Sequence, residues 1–208
     1  MAVAPIFRLE NLTVVYKKRF SRHRVHAVRD LSFTVNEGEV VGFVGPNGAG
    51  KSSTIKAMMG FLFPTAGKIE VLGHPAGSPA ANKYVGYLPE VALYYPFMKA
   101  KELLRLYGGL GGLRRAELAQ RIPYVLEMVG LSGHENQLLS TYSKGMQQRL
   151  GIAQALIGGP RLLVLDELSS GLDPLGRRDL RRILRTLRQE GKTIFFSSHE
   201  LSEVEMLC

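Results

Sequence analysis

Apolar residues along this chain of 208 recur in two rhythms, and the change of rhythm divides it. Short runs dense in Val, Ile, Leu and Phe predict strands at Ile6–Val15, Val25–Val35, Val40–Val44, Lys68–Val71, Tyr84–Leu88, Leu162–Leu165 and Thr193–Phe196. Longer stretches with helical patterning predict helices at Ser53–Met59, Lys101–Tyr107, Arg115–Val129, Lys144–Ile157, Gly176–Gln189 and from Glu200 onward. Runs without polar alternation, such as Leu162–Leu165, are expected of a parallel sheet covered on both faces. The early part is therefore strand-rich, the middle helical, and the end alternates strand and helix. The middle block, about Val91 to Pro160, reads as a helical insertion rather than as part of the sheet. Within it, Gly108-Gly-Leu-Gly-Gly112 is expected to break the helices and form a mobile connection.

Composition narrows the class. No apolar run approaches the ~20 residues of a membrane-spanning helix, and the start Met1-Ala-Val-Ala-Pro5 lacks a secretory pattern. The lone Cys208 supports no intrachain disulfide, which fits a reducing cytosol. Lys and Arg number 27 against 18 Asp and Glu, a net charge of +9 that suits an anionic partner. The last residues, Glu203–Cys208, read as helix without a cap or closing glycine, so the authentic protein is expected to continue.

Three predicted strands end in polar residues, and in open α/β sheets ligands collect at that edge. Val40–Val44 runs into Gly45, Pro46, Asn47, Gly48, Ala49, Gly50, Lys51 and Ser52, with Ser53 opening a helix. Glycines let successive N–H groups converge on a phosphate, and the helix adds its positive dipole end. Lys51 is placed to reach the β- and γ-phosphates of a nucleoside triphosphate, and the Ser52 hydroxyl to ligate Mg²⁺. Leu162–Leu165 ends in Asp166-Glu167, where one carboxylate suits Mg²⁺ and the second suits orienting an attacking water. On its own such a pair would equally begin a solvated loop; beside a phosphate loop the catalytic reading is the stronger. Thr193–Phe196 ends in Ser197-Ser-His199, so His199 is a candidate for a hydrogen bond to the γ-phosphate. His23, His26, His74 and His134 have no such context and read as surface or turn residues. No Cys/His cluster suggests zinc.

With these strand ends in this order around a helical insertion, the chain resembles the ATP-binding-cassette family over nearly its whole length. It looks like the nucleotide-binding subunit of a transporter. Gly45–Ser52 matches the Walker A motif, Arg161–Glu167 Walker B, Ser170-Gly-Leu-Asp173-Pro the D-loop, and His199 the switch histidine. Tyr16 is similar to the aromatic residue that stacks on adenine, a contact worth ~1–3 kcal/mol. The signature element reads Tyr142-Ser-Lys-Gly-Met146, where Ser143 and the Gly145 amide would sit at a helix start, facing a γ-phosphate. Lys144 replaces a glycine and adds charge there.

The resemblance implies a P-loop NTPase core with a mostly parallel sheet, an N-terminal antiparallel β subdomain and an inserted helical subdomain. It implies one domain over 1–208, with the core at 1–90 and 161–208 and the helical part at 91–160. It further implies an ATPase with ATP and Mg²⁺, working as a symmetric dimer in which Ser143, Lys144, Gly145 and Asp173 serve the nucleotide of the second subunit. The partner is then a transmembrane permease, and the location the cytoplasmic face of the membrane. The Gly86-Tyr-Leu-Pro-Glu90 and Tyr-Ser-Lys-Gly-Met segments look like subunits that serve separate drug, lipid or polysaccharide exporters. Three positions depart from the family pattern. Glu90 stands where a glutamine is usual and remains a candidate Mg²⁺ ligand, although an ionised carboxylate cannot donate a hydrogen bond. Leu168 replaces a proline, and Asn136–Thr141 lacks the acidic-glycine pattern of fused exporters. The basic segment Lys17–Arg24 is a candidate for anionic lipid headgroups. The competing expectations are a soluble cassette ATPase acting on nucleic acid or ribosomes, and a non-hydrolysing regulatory cassette.

Overall fold

The computed structural model describes residues 5–17 and 24–208. Two four-stranded sheets organise them. The first is antiparallel, in the order β2 (Arg24–Val35), β1 (Phe7–Lys17), β4 (Ala66–Val71), β5 (His74–Pro75). The second is parallel throughout, in the order β3 (Val40–Val44), β8 (Thr193–Ser198), β7 (Leu162–Leu165), β6 (Val85–Leu88). Helices α1 (Lys51–Met58), α2 (Pro79–Asn82), α3 (Ala100–Leu110), α4 (Arg115–Met128), α5 (Lys144–Leu156), α6 (Pro174–Gln189) and α7 (Leu201–Leu207) complete the described elements, with a 3-10 turn at Leu139–Thr141.

The parallel sheet is apolar on both faces, as its unbroken runs require. Successive strand residues point to opposite sides. Leu162, Val164 and Phe195 face one core with Phe7, Val35, Ile55 and Met58, between the antiparallel sheet and α1. Leu163, Leu165, Ile194 and Phe196 face a second core built from α3, α4, α5 and α6. In the first core Phe33 stacks on Phe195 with ring centroids 5.9 Å apart, and Phe7 meets Phe33 edge-on at 5.6 Å. These contacts tie β1 and β2 to the middle of the parallel sheet. Among the described residues no helix is long and apolar enough to cross a membrane.

Several expectations are corrected. The glycine run does not break the helix at Gly108: α3 continues to Leu110 and turns only at Gly111-Gly112, with φ of 88° at Gly112. Gly108 is there for close packing, since a Cβ would lie 2.4 Å from Leu118 Cδ2 on α4. The strand at Thr193 extends through Ser197 and Ser198, because both pair with β3 at Phe43 and Val44. The first strand likewise extends past Val15 to include Tyr16 and Lys17, and α6 starts at Pro174, capped by Asp173. The two-residue β5 and the four-residue α2 are too short to leave a periodic pattern. Of the basic segment, Lys17 closes β1 and Arg24 opens β2, while residues 18–23 lie outside the described residues.

The helix α5 rests directly on β6. A Cβ at Gly86 would lie 2.2 Å from the Ala155 backbone oxygen, and one at Gly151 would lie 2.5 Å from Leu88 Cδ1. Gly86→Ala is therefore expected to destabilise the chain by about 1–3 kcal/mol through overpacking. Gly109→Ala, with open space around it in α3, is expected to be neutral or to stabilise by up to about 1 kcal/mol. Urea unfolding of the two variants tests the contrast; equal midpoints would contradict it.

Candidate functional site

The loop 45–50 leaves β3 and turns back over it before α1 begins at Lys51. Gly48 and Gly50 adopt left-handed φ of 82° and 93°. At Gly50 a Cβ would lie 2.1 Å from the Ala27 backbone oxygen, so only glycine lets the loop seat against β2. Ala49 N–H donates to the Pro46 oxygen (3.1 Å), which closes the turn. Lys51 is only 6 % exposed and folds back, donating to the backbone oxygens of Gly45 (2.7 Å) and Pro46 (3.2 Å).

Asp166 and Glu167 meet this loop from the end of β7. Ser52 Oγ donates to Asp166 Oδ1 at 3.3 Å, and Ser197 Oγ donates to the same oxygen at 2.7 Å. Ser197 also accepts the Glu167 N–H at 2.8 Å, so one buried hydroxyl on β8 orients both acidic residues. Glu167 Oε1 lies 3.0 Å from Lys51 Nζ, and Oε2 lies 2.9 Å from His199 Nδ1. Burial raises the Glu167 carboxyl, but hydrogen bonds from His199 and Lys51, with their charge, outweigh it and hold it below the usual carboxylate range. The backbone of Glu167 is itself unusual, with a left-handed φ of 46°. A non-glycine residue in that region costs roughly 1–3 kcal/mol and persists only where its surroundings over-determine it. Burial, with the Asp166 charge nearby, pushes the Tyr87 phenol up to about 12.

Lys51, Ser52, Glu167 and His199 line one open cleft of about 480 Å³, together with Asn47, Gly48, Gly50, Ser53, Glu90 and Tyr16, while buried Asp166 lies behind Ser52. Gly45, Pro46 and Ala49 belong to the same loop but do not line the cleft. Tyr16 is 41 % exposed at the rim, and its hydroxyl shares a 3.1 Å hydrogen bond with Ser53 Oγ. Val25, His26 and Ala27 also line the cleft without any signal in the sequence that marks them, and so does Ser170, the first residue of the segment that resembles the D-loop. His26, read there as an ordinary surface residue, faces the cleft because β2 pairs with β1 in the register Tyr16↔Val25 and Val15↔His26. The orienting part of Ser197 has no mark in the sequence beyond its place at a strand end.

Ser143, Lys144, Gly145 and Asp173 are not in this cleft. They line a separate cavity of about 340 Å³ with Arg149, Gly171 and Gly176. Ser143 caps α5 by accepting the Met146 N–H (3.2 Å), and Asp173 caps α6 by accepting the Gly176 N–H (2.7 Å). The two sets of expected nucleotide ligands thus occupy two different places on one chain.

The residues present fit a polyphosphate with a hard cation. The cleft brings together glycine-loop backbone and a buried lysine, and the Ser52 hydroxyl and Asp166 carboxylate lie within hydrogen-bond distance of each other. Among the described residues no group of three His, Cys, Asp or Glu could form a complete metal cage. Mg²⁺ is usually held by one or two protein oxygens, with phosphates and water supplying the rest, and Ser52 and Asp166 could supply two.

Comparison with known proteins shows the family. Residues 28–170 match the family described as ABC transporter. An uncharacterised ABC transporter ATP-binding protein of Nostoc is 45 % identical over 201 residues, 95 % of this chain and 60 % of its own length. The bacitracin transport ATP-binding protein of Bacillus licheniformis is 38 % identical, over 99 % of this chain and 65 % of its own. A solved ATP-binding subunit of an ABC transporter superposes with a TM-score of 0.83 at 32 % identity, covering 98 % of this chain and 83 % of that one. The chain thus spans about 60 % of the length of the Nostoc relative. With its strand–loop–helix at Gly45–Lys51 and its matched residues, the chain belongs to the ABC transporter family.

Proposed function

We propose that this chain binds and hydrolyses MgATP to drive transport, in the direction of export, through a separate membrane permease. The observation that carries the reading is the placement of Glu167 between Lys51 and His199, beside the Ser52–Asp166 pair. Lys51 would reach the terminal phosphates, and Ser52 and Asp166 would hold Mg²⁺, with Glu90 at the cleft edge as a further oxygen ligand. When bound, the metal would neutralise phosphate charge. Glu167 accepts the proton of the attacking water, its depressed pKa keeping it ionised at neutral pH, and His199 orients that carboxylate and the γ-phosphate. Tyr16 stacks on the base at the rim.

The second cavity supports a dimer. Ser143, Lys144 and Gly145 present a helix start and a cation away from the chain's own cleft, and two copies related by a two-fold would each complete the other. Block 91–160 then acts as the helical part between core segments 1–90 and 161–208. Exposed Val91, Leu93, Tyr95 and Phe97, directly after Glu90, form the apolar patch suited to a permease. The relatives named for bacitracin transport and for Nod factor export favour transport, in the direction of export, over action on nucleic acid. The location is the cytoplasmic face of a membrane, where Lys17 and Arg24 would lie near anionic headgroups.

Glu167→Gln is expected to lower turnover by about 10²–10⁴-fold while leaving MgATP binding intact and letting dimers accumulate in gel filtration. Turnover at the wild-type rate would remove Glu167 as the base. Specific activity of the wild type is expected to rise with protein concentration, and Ser143→Ala to lower activity at every concentration. A dilution series with flat activity, insensitive to Ser143→Ala, would refute the shared site.

A further inference from the structure

The turn 168–173, which follows Glu167, lies against one face of α5. Lys144 and Gln148, four residues apart and so on the same side of that helix, both reach it. Gln148 Nε2 donates to the Leu168 backbone oxygen at 2.8 Å. Lys144 packs its ammonium over Gly171, where a left-handed φ of 68° and a missing Cβ leave room for it. From the opposite side, Ser197 Oγ accepts the Glu167 N–H at 2.8 Å. The backbone on either side of left-handed Glu167 is therefore gripped by two elements, β8 before it and α5 after it. Only one of these, α5, also carries the Ser143 cap and its separate cavity.

We propose that Gln148 is a positioning residue for hydrolysis: its amide holds the backbone behind Glu167 and ties the aim of that carboxylate to the signature helix. Gln148 touches none of the reacting groups and does not line the nucleotide cleft. Its influence falls on where the base points, not on how tightly nucleotide binds. The bond also gives a direct route between the two pockets of one chain. A ligand that engages Ser143 and the start of α5 acts on a helix whose second turn is hydrogen-bonded to the residue next to Glu167. The inference rests on the reading of Glu167 as the general base.

The test uses steady-state ATPase kinetics, equilibrium MgATP binding and thermal melting of the full-length protein, with Glu167→Gln measured in parallel. Gln148→Glu keeps the side-chain length but replaces the donor by an ionised acceptor. It is expected to lower kcat by about 10²-fold, the loss typical of a misplaced catalytic group, with KM and MgATP affinity unchanged. Gln148→Lys restores a donor of similar reach and is expected to recover most of the rate. Wild-type kcat in Gln148→Glu, with Glu167→Gln inactive, overturns the role of Gln148 alone. Wild-type kcat in Glu167→Gln overturns the base assignment and this inference with it. Equal losses of rate and melting temperature in Gln148→Glu and Gln148→Lys, or a matching loss of MgATP affinity, reduce Gln148 to a structural residue.

Discussion

Everything at the cleft depends on three neighbouring strands ending at the same edge of one parallel sheet. β3, β8 and β7 lie side by side, in registers that set Val44 opposite Ser198 and Leu165 opposite Phe196. Their carboxyl ends release the glycine loop, His199 and the Asp166-Glu167 pair within hydrogen-bond distance of one another. Ser52 and Asp166 are 114 residues apart in the chain and 3.3 Å apart in space. Both faces of the sheet are packed, so a slip of one residue would exchange every strand side chain between two differently shaped cores and undo the fit of both. The chemistry inherits the accuracy of that ladder.

The cluster held there is a poor way to gain stability. Lys51, Asp166 and Glu167 are all buried, and removing each ion from water costs several kcal/mol that a neighbouring opposite charge offsets only in good geometry. The left-handed backbone of Glu167 adds strain. An apolar trio of the same volume would be at least as stable. What the arrangement provides is a carboxylate kept ionised and aimed, between a lysine and a histidine. Such features mark sites where groups are positioned for reaction rather than for folding.

The apolar runs and the Gly-x4-Gly-Lys-Ser loop made the parallel sheet, its strand ends and most of the cleft legible in the chain. Each of those signals is local: four apolar residues followed by a polar pair can be seen without knowing any partner. What stayed hidden depends on pairing between distant segments. Val25 and His26 come to Tyr16 only through the antiparallel register of β1 and β2, and His26 by itself has no mark that separates it from His74. Ser197 looks like one hydroxyl among two until Asp166 and the Glu167 amide are placed on either side of it. Gly108 misled because glycine signals both a break and a close approach. Which meaning holds depends on Leu118, on the next helix.

The contact between α5 and β6 bears on how the two pockets of one chain relate. Gly86 lets the strand approach the Ala155 backbone and Gly151 leaves room for the Leu88 side chain, so the interface has little slack to absorb a shift. Tyr94, in the segment between β6 and α3, donates to Gln154 on the same helix at 2.9 Å. At its other end α5 is joined to α6 by Arg149 and Asp179, 3.4 Å apart. Close-packed interiors transmit displacement because they compress so little. A helix fixed to the strand before Glu90, to the exposed segment after it and to the turn behind Glu167 cannot move at Ser143 without loading all three. The same packing that makes α5 part of the core therefore joins it to the segment bearing exposed Tyr95 and Phe97, to the turn after Glu167 and to the cavity lined by Ser143.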